Sequence, residues 1–201
     1  MSTLSPLRQK RFEHLFGVND RDGDGFITEA DVMPTATLFA DSQGWSADEP
    51  RRAQHAAMLG AVWQSYQGFC RPEDGPRMGR DAWLALWTGY SAALAAEVAQ
   101  GGGALLAQFE HSLEQVIEML DDTHSGRATR DVWCAWARAA NVADPEAAFA
   151  RLDVQGKGYL LRADLVQRQV EFLVSEDPDA PGNHYFGVID TAGLSPAPSG
   201  G

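Results

Sequence analysis

The sequence predicts an all-α protein: four helix–loop–helix units in two pairs, packed as one compact domain, with short antiparallel bridges between paired loops. Three observations predict it. Apolar residues recur at helical spacing along most of the 201-residue chain. Four segments, 20–31, 71–82, 121–132 and 153–164, interrupt that spacing and align by the turn position, a glycine in all but the second, and the apolar residue after it. Gly101-Gly102-Gly103 then divides the chain into two halves built on one plan. The expected organisation is a first pair over 5–100, a second over 104–175, and a tail over 176–201.

Ser5-Pro6 reads as a helix start, with Ser5 as N-cap and Pro6 in the first turn. Phe12, Leu15 and Phe16 follow on one face. After the first loop Thr28 caps a helix that carries Val32, Leu38 and Phe39 inward, and Pro34 predicts a kink near its start. Gly44 ends that element. Ser46 and Glu49 suggest a capping box for a helix reaching Phe69, with Met58, Leu59, Val62, Trp63 and Tyr66 as its stripe. Trp83, Leu84, Leu86, Trp87 and Tyr90 mark the helix after the second loop. In the second half Leu105, Phe109, Leu113, Val116, Ile117 and Leu120 line one helix. Trp133 and Trp136 start the next, Asp144-Pro145 starts a third, and Leu165 to Leu173 line the last. Tyr185, Phe186, Val188 and Ile189 give the tail apolar anchors, and 194–201 reads as disordered.

The first loop, DRDGDGFITEAD from Asp20 to Asp31, carries the chemistry. Aspartates alternate at Asp20, Asp22 and Asp24, so a tightly wound chain turns every second carboxylate inward. Gly25 sits where the chain turns sharply, Phe26 offers its carbonyl, Thr28 acts directly or through a water, and Asp31 closes the loop. A hard cation needs six to eight oxygens at about 2.3–2.6 Å, and this spacing supplies them. The expected ion is calcium. Asp31 is one methylene shorter than the glutamate usual at the twelfth position, which weakens calcium and relatively favours magnesium at the same site. Ile27, at the eighth position, suits a bridge to a partner loop.

The other loops depart from this chemistry. The second has Arg71 and Ala82 at its ends and Pro76 at the turn, and reads as a metal-free relic with Glu73 and Asp74 as surface acids. The third has Asp121, Thr123, Ser125 and Gly126 in place but closes on Val132, which offers no side-chain oxygen. A loop held by its own side-chain hydrogen bonds is the alternative there. The fourth keeps Asp153, Gly158 and Asp164 but puts Lys157 at a ligand position, where an ammonium repels a dication and acts as a built-in counter-charge to the two aspartates.

A formal charge of −12 argues against nucleic acid and anionic membrane surfaces as partners. No apolar run approaches a membrane span, and MSTLSPLRQKRF lacks a signal-peptide core, so a cytoplasmic location is expected. Cys70 and Cys134 are expected to be buried thiols. The scarcity of lysine beside arginine, with abundant alanine, is associated with high-GC bacteria.

The arrangement resembles the EF-hand superfamily and, within it, the calerythrin and sarcoplasmic calcium-binding protein group. DRDGDGFITEAD and the tail segment SEDPDAPGNHYFG carry that resemblance, which covers about residues 5–190. It implies two packed pairs of hands with a degenerate second hand. Members usually keep working first, third and fourth hands, and this chain departs at the third and fourth.

The expected function is a calcium-binding protein with one intact loop, acting as sensor, signal modulator or buffer. The five methionines are scattered, which disfavours a methionine-rich target clamp. The alternative is a scaffold that binds a protein partner or an apolar ligand, with calcium or magnesium stiffening the fold. Trp63, Trp83, Trp87, Trp133 and Trp136 would line a cavity in that case, whereas core packing is the usual use of such stripes. No enzyme is expected: His14, His55, His111, His124 and His184 are dispersed, without a recognised ligand or catalytic spacing.

Overall fold

A computed structural model describes residues 4–121 and 123–194. Helix α1 spans Pro6–Asn19, and its first turn is closed by the Ser5 hydroxyl accepting from the Arg8 N–H at 3.2 Å. The next helix is cut in two, α2 at Glu29–Val32 and α3 at Pro34–Ser42, because Pro34 has no N–H to continue the ladder. Helix α4 spans Pro50–Gln67 and starts later than the sequence suggests. Ser46 donates to Asp48 at 2.6 Å instead of forming a box with Glu49, and Glu49 becomes the residue before the helix. Helices α5 (Arg80–Ala99), α6 (Ala104–Leu120), α7 (Arg130–Ala139), α8 (Pro145–Leu152) and α9 (Arg162–Val174) complete the bundle, followed by a 3-10 turn at Pro181–His184. Between α5 and α6 the chain reverses at Gly103, where a Cβ would run into the Glu97 carboxyl group. That carboxylate accepts from the Leu106 N–H, so Glu97 caps the new helix.

Two short antiparallel sheets tie the loops in pairs. Strand β1 (Phe26–Ile27) pairs with β2 (Met78–Gly79), and β3 (Arg127–Thr129) with β4 (Tyr159–Leu161). Ile27 faces Met78 and Ala128 faces Leu160, so the eighth residue of each loop meets the eighth of its partner. All four are 1% exposed or less.

Most of the buried apolar residues form one connected cluster. Helix α1 lies on α5, α3 on α7, and α5 on α9. Trp83 and Trp133 are fully buried, the first edge-on to Phe16, the second against Phe149. The tail is held by a buried cation. Arg11 donates from Nη1 to the Glu171 carbonyl at 2.7 Å and to Asn183 at 3.1 Å, and from Nη2 to the Ser175 carbonyl at 2.5 Å. Tyr185 and Ile189 are buried anchors, but Val188 is 41% exposed and is not one. The disorder expected of 194–201 falls, beyond Leu194, outside the described residues. Cys134 is buried and Cys70 half-buried, both as thiols. Among the described residues, no helix is long and apolar enough to cross a membrane.

Candidate metal centre and the cavity beside it

Asp20 caps the end of α1, its N–H bonded to the Phe16 carbonyl. The chain then turns through Gly25, whose φ of +88° is left-handed and favours glycine. This turn gathers Asp20, Asp22 and Asp24, which each offer a carboxylate oxygen within 4.8 Å of the others. Backbone N–H groups brace them: Gly25 donates to Asp20 at 3.0 Å, Asp24 to Asp22 at 3.1 Å, and Phe26 to Asp24 at 2.8 Å. Three like charges held this close repel one another unless a cation joins them. The second oxygen of Asp20, Oδ1, is buried and has no hydrogen-bond partner. A buried carboxylate oxygen left unpaired is costly, and a cation at this point removes the cost. The donor set is all oxygen, which suits calcium or magnesium.

Asp31 stands apart from that trio. It is 6% exposed, and its carboxylate is held from the protein side. Oδ1 accepts from the Arg21 N–H at 3.0 Å, while Oδ2 accepts from the Thr28 N–H at 2.8 Å and the Thr28 hydroxyl at 2.7 Å. Thr28 therefore donates to Asp31 across the first turn of α2. The Phe26 ring is covered by the Arg77 guanidinium at 4.1 Å from the second loop.

The first residues of the three acidic loops can be compared atom by atom. Each accepts on Oδ2 from the N–H of its loop's turn glycine: Asp20 from Gly25, Asp121 from Gly126, Asp153 from Gly158. The other oxygen differs. In Asp121 it accepts from Thr123 Oγ1 at 3.1 Å and from Ser125 N and Oγ, both at 2.9 Å. Burial raises the Asp121 pKa, but these bonds from Ser125, Gly126 and Thr123 outweigh it and bring it down to about 2. In Asp153 the oxygen accepts from the Lys157 N–H at 3.0 Å. The Lys157 ammonium lies 3.0 Å from Asp164 Oδ2, so of the two expected counter-charges Asp164 is the one it pairs with. Asp20 Oδ1 alone of the three is unpaired. In the second loop Arg71 and Asp81 lie 3.5 Å apart and residues Pro72–Asp74 wind into a 3-10 turn; Glu73 is exposed and Asp74 half-buried.

A cavity of about 730 Å³ adjoins the first loop. Its walls are mainly apolar, from Val18, Val32, Leu59, Leu113, Trp136 and Phe186. Of the five tryptophans considered from the sequence, Trp136 lines it; Trp63, Trp83 and Trp133 fill the core, and Trp87 stacks on Phe12. Sequence reasoning missed Arg21, the second residue of the loop, which lines this cavity beside Asp31. Its Nε donates to the Asp31 carbonyl at 3.3 Å, and Nη2 to Thr35 Oγ1 at 3.2 Å and the Ala139 carbonyl at 2.6 Å. Burial lowers the Arg21 pKa, and Asp31 opposes the shift. A lone arginine at a non-ligand position gives no sequence signal of such a reach.

No protein-family model matches the chain. Obelin of Obelia geniculata is 23% identical over 189 residues, with 92% of each chain covered. Among solved structures, the calcium-loaded apo coelenterazine-binding protein of Renilla muelleri superposes with a TM-score of 0.64 at 20% identity, over 91% of this chain and 95% of that one. The sarcoplasmic calcium-binding protein of amphioxus gives 0.63 at 15% identity, over 93% and 100%. The chain has the EF-hand fold. A Streptomyces coelicolor calcium-binding protein, described in terms of prokaryotic calcium-mediated regulation, shares this EF-hand fold with a TM-score of 0.62 at 19% identity, over 84% of this chain and 98% of that one. The paired EF-hand loops and their bridges thus match the resemblance drawn from the first loop and the tail.

Proposed function

We propose that this chain is a cytoplasmic calcium-binding EF-hand protein with one working loop. Asp20, Asp22, Asp24, the Phe26 carbonyl, Thr28 and Asp31 hold the ion, and magnesium competes for the same site. The observation that carries the reading is the unpaired, buried Oδ1 of Asp20 beside two further carboxylates. The corresponding oxygens of the third and fourth loops are already satisfied by Thr123, Ser125 and Lys157, which supports a single site. One ion per 21.8 kDa makes an inefficient buffer, so the reading favours a sensor or signal modulator. Calorimetric titration of metal-free protein with calcium, with and without millimolar magnesium, tests it. One site, abolished in Asp20→Ala, is expected; two sites surviving that substitution would restore a buffer.

The cavity favours a second reading, a scaffold for an apolar ligand with the ion as a stiffener. The Renilla muelleri protein that shares this fold is named for binding coelenterazine, a small molecule, which supports it. Saturable binding of a neutral apolar dye that survives Asp20→Ala is its expected sign.

A further inference from the structure

The cavity has mainly apolar walls, aliphatic and aromatic, and two charged side chains, Arg21 and Asp31. Asp31 is satisfied: three donors cover its two oxygens. Arg21 is not. Its side-chain bonds go to two carbonyls and a hydroxyl, all neutral, and among the described residues it has no ion-pair partner. Nη1 makes no hydrogen bond there. A half-buried guanidinium without a bound anion, on the wall of an apolar chamber, attracts an anionic head group. A single unused nitrogen suits a small, singly charged group. Its solvent-exposed lining residues, Ser65 and Ser112 among them, lie on α4 and α6, so the chamber meets solvent along those helices.

We propose that this cavity binds a long-chain carboxylic acid, with the carboxylate on Arg21 Nη1 and the hydrocarbon tail against Val18, Val32, Leu59, Val62, Leu113 and Val116. The volume falls in the range of roughly 300–1,000 Å³ that organic ligands occupy, enough for an acyl chain of about a dozen carbons. The proposal rests on the reading of the cavity as a ligand site and adds to it the class of ligand and the residue that selects it.

Displacement of the neutral dye Nile red tests it, with dodecanoate and dodecanol as competitors. Dodecanoate is expected to displace the dye from the wild type at least about tenfold more effectively than dodecanol, the worth of one charge-assisted bond. Arg21→Met abolishes that preference, leaving dodecanol unchanged, and Arg21→Lys retains most of it. Ser112→Trp, at an exposed position where folding is safe, narrows the mouth and weakens both competitors. Equal displacement by acid and alcohol, unaffected by Arg21→Met in a variant with wild-type circular dichroism, overturns the carboxylate assignment and leaves the cavity reading standing. No dye binding, or dye binding untouched by Ser112→Trp, overturns both.

Discussion

Asp20 and His55 each carry buried polar atoms without partners, and the two call for different remedies. The Asp20 oxygen is relieved by an added cation. His55 is fully buried, edge-on to Phe39 at 5.4 Å, and neither ring nitrogen has a partner, so it is relieved by staying neutral. Burial pushes its pKa from 6.5 down to about 4. The sign follows from which state takes up the proton. Below pH 6.5 the unfolded chain protonates this imidazole and the folded chain does not, so stability falls as pH drops from 6.5 toward 4. The full loss from this residue is about 3 kcal/mol. Urea denaturation at pH 7 and pH 4.5 is expected to show most of that difference in the wild type and to lack it in His55→Phe; equal pH slopes in both would refute the assignment. Asp31 gives the second prediction at this scale. Its short side chain is drawn to Arg21 and Thr28. Asp31→Glu adds the methylene needed to reach an ion with both oxygens, so calcium affinity rises about tenfold, a gain of about 1.4 kcal/mol, with less effect on magnesium. Competition calorimetry of the two ions reads both numbers.

The loop pairs are the element at which sequence and structure can be compared closely. In the fourth loop an internal ammonium, Lys157, pairs with Asp164. Lys157→Asp reverses that charge beside Asp153 and Asp164, and a second calcium per chain is the expected result in a calorimetric titration. Stoichiometry unchanged at one would mean the loop's backbone, and not its charge, excludes the ion. The repeat that aligns these loops was legible in the turn glycines of three of them and in the apolar residue after each turn, and the bridge expected of Ile27 is found, to Met78 in the second loop. The Ser5-Pro6 start and the break at Pro34 were legible too, because caps and missing N–H groups act locally. The start of α4 was not. Ser46 had two acids within reach, Asp48 and Glu49, and composition does not say which it takes. The saturation of Asp121 by Thr123 and Ser125 was foreseen as an alternative, since those hydroxyls lie within its own loop. The reach of Arg21 to Ala139, across 118 positions, has no local signature.

At the scale of the molecule, Arg21 joins three things that the sequence keeps apart. Its N–H holds Asp31, its guanidinium holds Thr35 in α3 and the last carbonyl of α7, and its remaining nitrogen borders the cavity. Asn141 adds a parallel tie from the end of α7 to the Val18 carbonyl at 3.0 Å. An ion in the first loop would act on this junction through charge. Without metal, Asp20, Asp22, Asp24 and Asp31 present four negative charges near Arg21 and oppose an anion in the cavity. A bound dication halves that charge and draws Asp31 toward itself, which leaves more of the Arg21 charge to a carboxylate ligand. Calcium should therefore tighten dodecanoate binding, by fivefold or more if the coupling is at least about 1 kcal/mol. Linkage demands that dodecanoate tighten calcium by the same factor. Dodecanol, which carries no charge, should show little of the effect, and Arg21→Met should bring the factor for the acid close to one. Measuring all four affinities, each ligand with and without the other, closes the cycle. A closed cycle with no coupling would mean that the loop and the cavity share a wall without sharing a function. A factor that survives Arg21→Met would place the coupling in the packing of α3 against α7.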